Sequence, residues 1–180
     1  TGLWNYGAAS AYGAWLDSLA DCQRPSGQVP AIVPCAGWGY NWGSGSTWDS
    51  VLLLIPWYVY VYTGDRSLID RLYPAMARYV GYLVTLATDH VVHFGFGDWC
   101  SAEPHEVPGG FFTTAYYHSD SVLLARLADL TGRAREAAAY RALAAKIRRA
   151  FNAKFYRGDG VYVEGQMAAL GGTSYLAQLR

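Results

Sequence analysis

Two runs of this 180-residue chain set aromatic rings beside carboxylates among glycines. The first is Ala36-Gly-Trp-Gly-Tyr-Asn-Trp-Gly-Ser-Gly-Ser-Thr-Trp-Asp49, which holds Trp38, Trp42 and Trp48. The second is Gly95-Phe96-Gly97-Asp98-Trp99, followed by Glu103 and Glu106. Residues of these types suit the binding of a sugar. The apolar face of a pyranose stacks on a flat indole, a carboxylate accepts hydrogen bonds from hydroxyls, and glycine lets the backbone come close to a ligand. The same rings have a structural reading, as packing that holds a loop on its helices. Asp49 also has two readings, because an Asp at a loop-to-helix junction is a common N-cap. The two roles are compatible.

Other chemistries find less support. A glycosidase carboxylate pair faces itself across the scissile bond at about 5 to 9.5 Å. Glu103 and Glu106 straddle Pro104 in one loop, so they read as solvated charges. His90, His93, His105 and His118 show no i,i+4 pairing, and Cys22, Cys35 and Cys100 form no C-x-x-C pair. No metal centre is expected, and the cysteines read as small buried apolar residues. A nucleophile elbow, a phosphate loop and a dinucleotide fingerprint are all missing, so no cofactor is expected. Formal net charge is zero, and apart from Arg148/Arg149 the basic residues are scattered, which argues against nucleic acid or an anionic membrane as partner. The most apolar stretch, Val51 to Tyr62, carries Pro56 and is too short to span a bilayer.

The elements that must position these runs are helical. Trp4, Ala8, Tyr12, Trp15, Leu16 and Leu19 recur at helical spacing and predict one helix from Leu3 to Cys22. A long loop follows from Gln23 to Thr47. Trp48 to Tyr62 reads as helix rather than strand, since Pro56 would break a central ladder and Thr63-Gly64-Asp65 looks like a stop followed by a cap. Asp65 is expected to cap a short turn reaching Leu72, with Pro74 opening a second helix to about Ala87. A second long loop runs from Thr88 to Gly110. Thr113 or Thr114 then caps a helix ended by Gly132. Arg133 to Phe155 is the clearest helix, with Tyr140, Leu143, Ile147, Phe151 and Phe155 on one face. Long and short connections alternate, and the aromatics sit on the long ones. That pattern describes antiparallel helical hairpins with functional loops on one rim.

A family resemblance follows from the motifs in order. Trp15-Leu-Asp-Ser-Leu-Ala-Asp-Cys-Gln23, Gly27-Gln-Val-Pro30, Val33-Pro34, Gly39-Tyr-Asn-Trp42, Trp48-Asp49, Ile55-Pro-Trp57 and Tyr62-Thr-Gly-Asp65 come first. Tyr73-Pro74, Gly97-Asp98-Trp99, Thr114-Ala-Tyr116, Leu123-Leu-Ala125 and Phe151-Asn152 continue the series. Together they resemble the bacterial α-L-rhamnosidases of glycoside hydrolase family 78, up to about Gln166. Beyond it, Ala168-Ala-Leu-Gly-Gly172 departs from the pattern.

The resemblance implies an all-α fold, an (α/α)6 toroid, with the substrate in a cleft at one rim. It implies release of terminal α-L-rhamnose from a rhamnose-containing oligosaccharide or glycoside by inverting hydrolysis. One Glu would serve as acid and another as base on water. In the family's order both lie outside this segment, so no catalytic residue is expected within it. The sugar-contacting positions map onto Trp48, Asp49, Asp98 and Trp99, and with Trp42 these are the expected substrate-binding residues. A full toroid has twelve helices and this chain about half of them. Residues 1–180 therefore read as a segment of one catalytic domain, incomplete at both ends, inactive and marginally stable alone. Two alternatives stay open: a six-hairpin glycosidase acting on another sugar, and a helical carbohydrate-binding module without hydrolysis.

Overall fold

The computed structural model describes residues 2–35, 39–40, 45–96, 109–158 and 162. Among them are seven helices: α1 (Gly2–Tyr6), α2 (Ala9–Asp21), α3 (Ser46–Asp49), α4 (Val51–Thr63), α5 (Ser67–Leu86), α6 (Gly109–Leu130) and α7 (Ala134–Phe155). A small antiparallel hairpin, β1 (Ala87–Thr88) and β2 (Val91–Val92), lies between α5 and α6. The architecture is all-α, as expected, with hairpins α4/α5 and α6/α7 joined by tight turns.

One face of α5 organises the core. Leu68, Ile69, Leu72, Tyr73, Ala75, Met76, Tyr79, Val80 and Leu83 are all buried on it. They meet Leu16 and Leu19 of α2, Leu52, Leu53 and Val59 of α4, and Leu124 and Leu127 of α6 in one cluster. This stripe explains a departure from the sequence reading. Pro74 does not start a helix; it lies inside α5. An interior proline costs about 3 kcal/mol through a lost hydrogen bond and ring crowding. Burial of the stripe on both sides of Pro74 exceeds that cost, because each large apolar side chain contributes roughly 1.5–3 kcal/mol.

Other boundaries differ for local reasons. The helix read from Leu3 to Cys22 is two helices, broken at Gly7, whose φ is +59°. Helix α6 begins at Gly109, upstream of the threonines expected to cap it. Thr113 and Thr114 are buried within it, and the Thr114 hydroxyl stands 3.1 Å from the Val92 amide nitrogen and 3.3 Å from its carbonyl oxygen. The hydroxyl accepts from the N–H and donates to the carbonyl, which locks the β-hairpin to α6. The helix Trp48 to Tyr62 is present, as α4 with the end of α3, and Pro56 is buried inside it. Gly64 ends it in the left-handed conformation at φ +74°. The turn after α6 closes with Gly132 N–H donating to the Asp129 carbonyl and Arg133 N–H to that of Ala128. On α7, Ile147, Phe151 and Phe155 are buried as the periodicity implied. Phe151 and Phe155 form a second small core with Val91, Phe111 and Tyr162.

The first long loop is fastened to α5. Gln23 Nε2 donates to the carbonyls of Gly27 (3.0 Å) and Ala75 (2.9 Å), while Arg78 Nε donates to Gln23 Oε1 at 3.0 Å. The Arg24 guanidinium lies 3.8 Å above the Tyr40 ring. Gly27 makes this approach possible. Its φ is +96°, and a Cβ there would stand 2.2 Å from the Arg78 carbonyl oxygen. Gly27→Ala should therefore destabilise by about 2 kcal/mol or more, since both the backbone angle and the space are wrong for a side chain. Urea denaturation followed by circular dichroism measures this, and an unchanged midpoint would show that the loop is not packed on α5.

Candidate functional site

The two aromatic loops meet at α3. Gly45 precedes this helix at φ +68°, and a Cβ on it would lie 2.6 Å from the Gly95 Cα and 3.0 Å from the Phe94 carbonyl oxygen. The two backbones pass in direct contact. Just beyond, the Trp48 and Phe96 rings meet edge to face, centroids 5.7 Å apart at 62°. Trp48 is 40% exposed, so part of the indole faces solvent where the loops join.

The opposite side of this turn is buried and polar. Ser46 Oγ donates to the Thr113 carbonyl at 2.7 Å, and Ser50 Oγ lies 2.7 Å from Asp120 Oδ2. Asp49 is 5% exposed and Asp120 1%. The N-cap position of α4 is occupied by Ser50, not Asp49, and no side chain makes the capping bond there. The Asp49 carboxylate instead bears on two tyrosines of α5. Burial pushes the Tyr79 and Tyr82 phenols above their ordinary range, and the charge of Asp49 pushes both further. Burial likewise raises Asp120 well above the usual carboxylate range; the Ser50 contact opposes this and the neighbouring Asp49 charge adds to it.

Sequence reading placed Trp48 and Asp49 at this junction, and the structure brings the ring of Phe96 to Trp48. Trp42, Asp98 and Trp99 lie outside the described residues, as do Glu103, Glu106, His105 and Cys100. Reading the loops missed Ser46, Ser50, Thr113 and Asp120, which hold α3 from below. A signal was present in the run Thr113-Thr114-Ala-Tyr-Tyr-His-Ser-Asp-Ser121. Thr113, Thr114, Tyr117, His118, Ser119, Asp120 and Ser121 of this run are all buried in mid-helix, an unusual density of polar residues for a helix core.

The remaining candidates are dispersed. His90 sits in the β-hairpin turn at φ +65°, and His93 Nε2 lies 3.2 Å from Lys154 Nζ. His118 is buried on α6. Among the described residues no three His, Cys, Asp or Glu side chains are grouped to hold a metal ion. Cys35 is a buried free thiol as expected, whereas Cys22 is only half-buried. No helix among the described residues is long and apolar enough to cross a membrane.

Antiparallel helical hairpins, with Trp48 and Phe96 meeting beside α3, make an all-α chain consistent with the toroidal glycosidase class. Residues 1–173 match the bacterial alpha-L-rhamnosidase six-hairpin glycosidase domain, and the chain belongs to that family. An alpha-L-rhamnosidase of Streptomyces avermitilis is 31% identical over 149 residues, covering 81% of this chain and 14% of the relative. One from Formosa agariphila is 26% identical over 168 residues, 89% of this chain and 18% of the relative. The solved alpha-L-rhamnosidase of Dictyoglumus thermophilum superposes with a TM-score of 0.83 at 27% identity, covering 99% of this chain and 20% of that one. The Streptomyces avermitilis enzyme complexed with L-rhamnose gives a TM-score of 0.78 at 28% identity, covering 89% and 15%. The chain thus spans a fifth or less of the length of these relatives.

The buried histidine supplies a pH test of the scaffold. Burial, with the nearby Arg148 charge, lowers His118 from 6.5 to about 4. Its folded value lies below its unfolded one, so the unfolded chain binds the extra proton first. The contribution is full above the unfolded value and is lost as pH falls towards 4. Stability should drop by roughly 3 kcal/mol across that window from this residue. In His118→Leu the fall between pH 6.5 and 4 should be smaller by that amount in urea titrations, and an identical fall would assign it to other groups.

Proposed function

We propose that the protein containing this chain releases terminal α-L-rhamnose from a rhamnose-containing oligosaccharide or glycoside by inverting hydrolysis, and that this segment supplies sugar-binding walls of the cleft. The observation that carries the reading is the half-exposed Trp48 ring, braced edge to face by Phe96 where the two long loops touch. A braced, partly open indole offers a stacking face that loses little freedom on binding. Membership in the rhamnosidase family supplies the sugar, and a relative complexed with L-rhamnose supports it.

The proposed substrate-binding residues are Trp42, Trp48, Asp49, Asp98 and Trp99. Trp48 would stack on the apolar face of the pyranose. Asp49, almost buried, would offer no more than an edge of its carboxylate to a hydroxyl. The general acid and base are glutamates outside this segment. An acid protonating the leaving oxygen and a base activating water on the opposite face of the ring give inversion at the anomeric carbon.

The test uses the full-length protein and p-nitrophenyl α-L-rhamnoside. NMR should show β-L-rhamnose as the first product; α-L-rhamnose as first product would refute inversion. Rhamnose binding without turnover would instead support a carbohydrate-binding module, and turnover of other α-glycosides alone would support another sugar specificity. Trp48→Ala should raise KM about tenfold, equivalent to about 1.4 kcal/mol of binding, with Trp48→Phe intermediate. An unchanged KM in Trp48→Ala would remove Trp48 from the sugar-binding wall.

A further inference from the structure

The first long loop returns to the helix it leaves. Trp15 Nε1 of α2 donates to the Val33 carbonyl at 3.4 Å, and the Tyr40 hydroxyl donates to the Cys22 carbonyl at the C-terminal end of the same helix. Tyr40 is held in turn by the loop, with Gln28 Nε2 donating to its carbonyl at 2.8 Å and the Arg24 guanidinium covering its ring. Gly39 packs so closely on Cys35 that a Cβ added to it would stand 3.0 Å from the Cys35 Cβ. These contacts bring two cysteines together. The Cys22 and Cys35 thiols are within hydrogen-bond reach of each other, and the Tyr40 hydroxyl reaches the Cys35 thiol. Both thiols are free; Cys22 is half-buried and Cys35 is buried. Sulfurs already in contact reach the disulfide spacing of about 2.05 Å by side-chain rotation and a small shift of the loop, without refolding.

We propose that Cys22 and Cys35 form an intrachain disulfide that clamps the first long loop to the C-terminal end of α2, made by exchange with a low-molecular-weight disulfide such as oxidised glutathione. Cys22, the more accessible of the two, attacks first. Its thiolate bonds to one sulfur of the small disulfide, and the other sulfur leaves with the electron pair and takes up the proton that Cys22 lost. Cys35 then gives up its proton, attacks Cys22 Sγ and expels the second small thiol. One small disulfide is thereby reduced to two thiols while two protein thiols are oxidised to one disulfide. Burial first, then Cys35 and Asp21, push the Cys22 thiol up, so its thiolate is scarce near neutral pH and the exchange is slow. The bond would close a loop of about fourteen residues and remove much of the freedom of the opened chain. It concerns the root of the loop and stands apart from the sugar reading.

The experiment equilibrates the full-length protein under native conditions with oxidised and reduced glutathione, alkylates the remaining thiols and maps the peptides by mass spectrometry without reduction. A Cys22–Cys35 link, two hydrogens lighter than the dithiol, is the expected product, and Cys100→Ser should leave it unchanged. In Cys35→Ser the reaction should stop at a glutathione adduct on Cys22, and in Cys22→Ser the Cys35 thiol should stay free. A lasting glutathione adduct on wild-type Cys22 with Cys35 still free overturns the proposal. So does alkylation of both cysteines at equilibrium, or a link from either to Cys100. The clamp has its own readout in thermolysin cleavage between residues 23 and 34, scored after reduction. Cleavage should be about tenfold slower in the oxidised wild type than in the reduced one, and fast in Cys35→Ser under both conditions. Equal rates in oxidised and reduced wild type would overturn the clamp.

Discussion

Burial of one face of α5 is the constraint on which the other elements depend. The stripe from Leu68 to Leu83 touches α2, α4 and α6, and its edges serve the loops and turns as well. The Ala75 carbonyl and the Arg78 side chain receive Gln23, so the first long loop is anchored at its root. At Tyr73 the helix reaches α7, with the phenol donating to Glu136 at 3.0 Å and the Arg133 guanidinium 4.2 Å above the ring. Further along, Tyr79 and Tyr82 feel the charge of Asp49, which adds to the effect of burial in raising both phenols. A helix that tolerates an interior proline is thus the member from which both the core and the rim are measured.

The rim itself combines two opposed environments within five residues. One side of the turn from Ser46 to Ser50 is dry, polar and hydrogen-bonded to α6, while the other presents Trp48 to solvent. Buried polar contacts of this type contribute little net stability, because desolvation offsets most of their gain. Their effect is directional. An apolar underside would let the short helix rotate or slide on α6, whereas the Ser46–Thr113 and Ser50–Asp120 contacts fix both its height and its angle.

Much of the helical scaffold was legible because its signals are local. The face of α7 carrying Ile147, Phe151 and Phe155 repeats at helical spacing, and Gly64 marks a stop that only a residue tolerant of positive φ can make. What the sequence concealed depended on distant partners. Pro74 looked like a helix start because the burial that carries α5 through it comes from α2, α4 and α6. The hairpin β1/β2 has strands of two residues, too short to show alternation, and turns through Asp89 and His90 at φ +50° and +65° without a glycine. Asp120 was overlooked because nothing in a helix reveals that its neighbour across 70 positions is a serine. At the site, the loop compositions led to Trp48 and Asp49, but they could not show that Asp49 turns inward.

The contact between Gly45 and Gly95 has a consequence for how such a protein diversifies. Because the backbones of the two loops touch, with a Cβ on the first only 2.6 Å from the Cα of the second, neither loop has an independent conformational history. A side chain gained at Gly45 demands a displaced partner strand, and a change in the path at Gly95 removes the wall against which the first loop is folded. Recombination that carries in one loop from a homologue without its companion brings a mismatched seam. The two segments are thus coupled in structure, and a change in the backbone of one requires a matching change in the other.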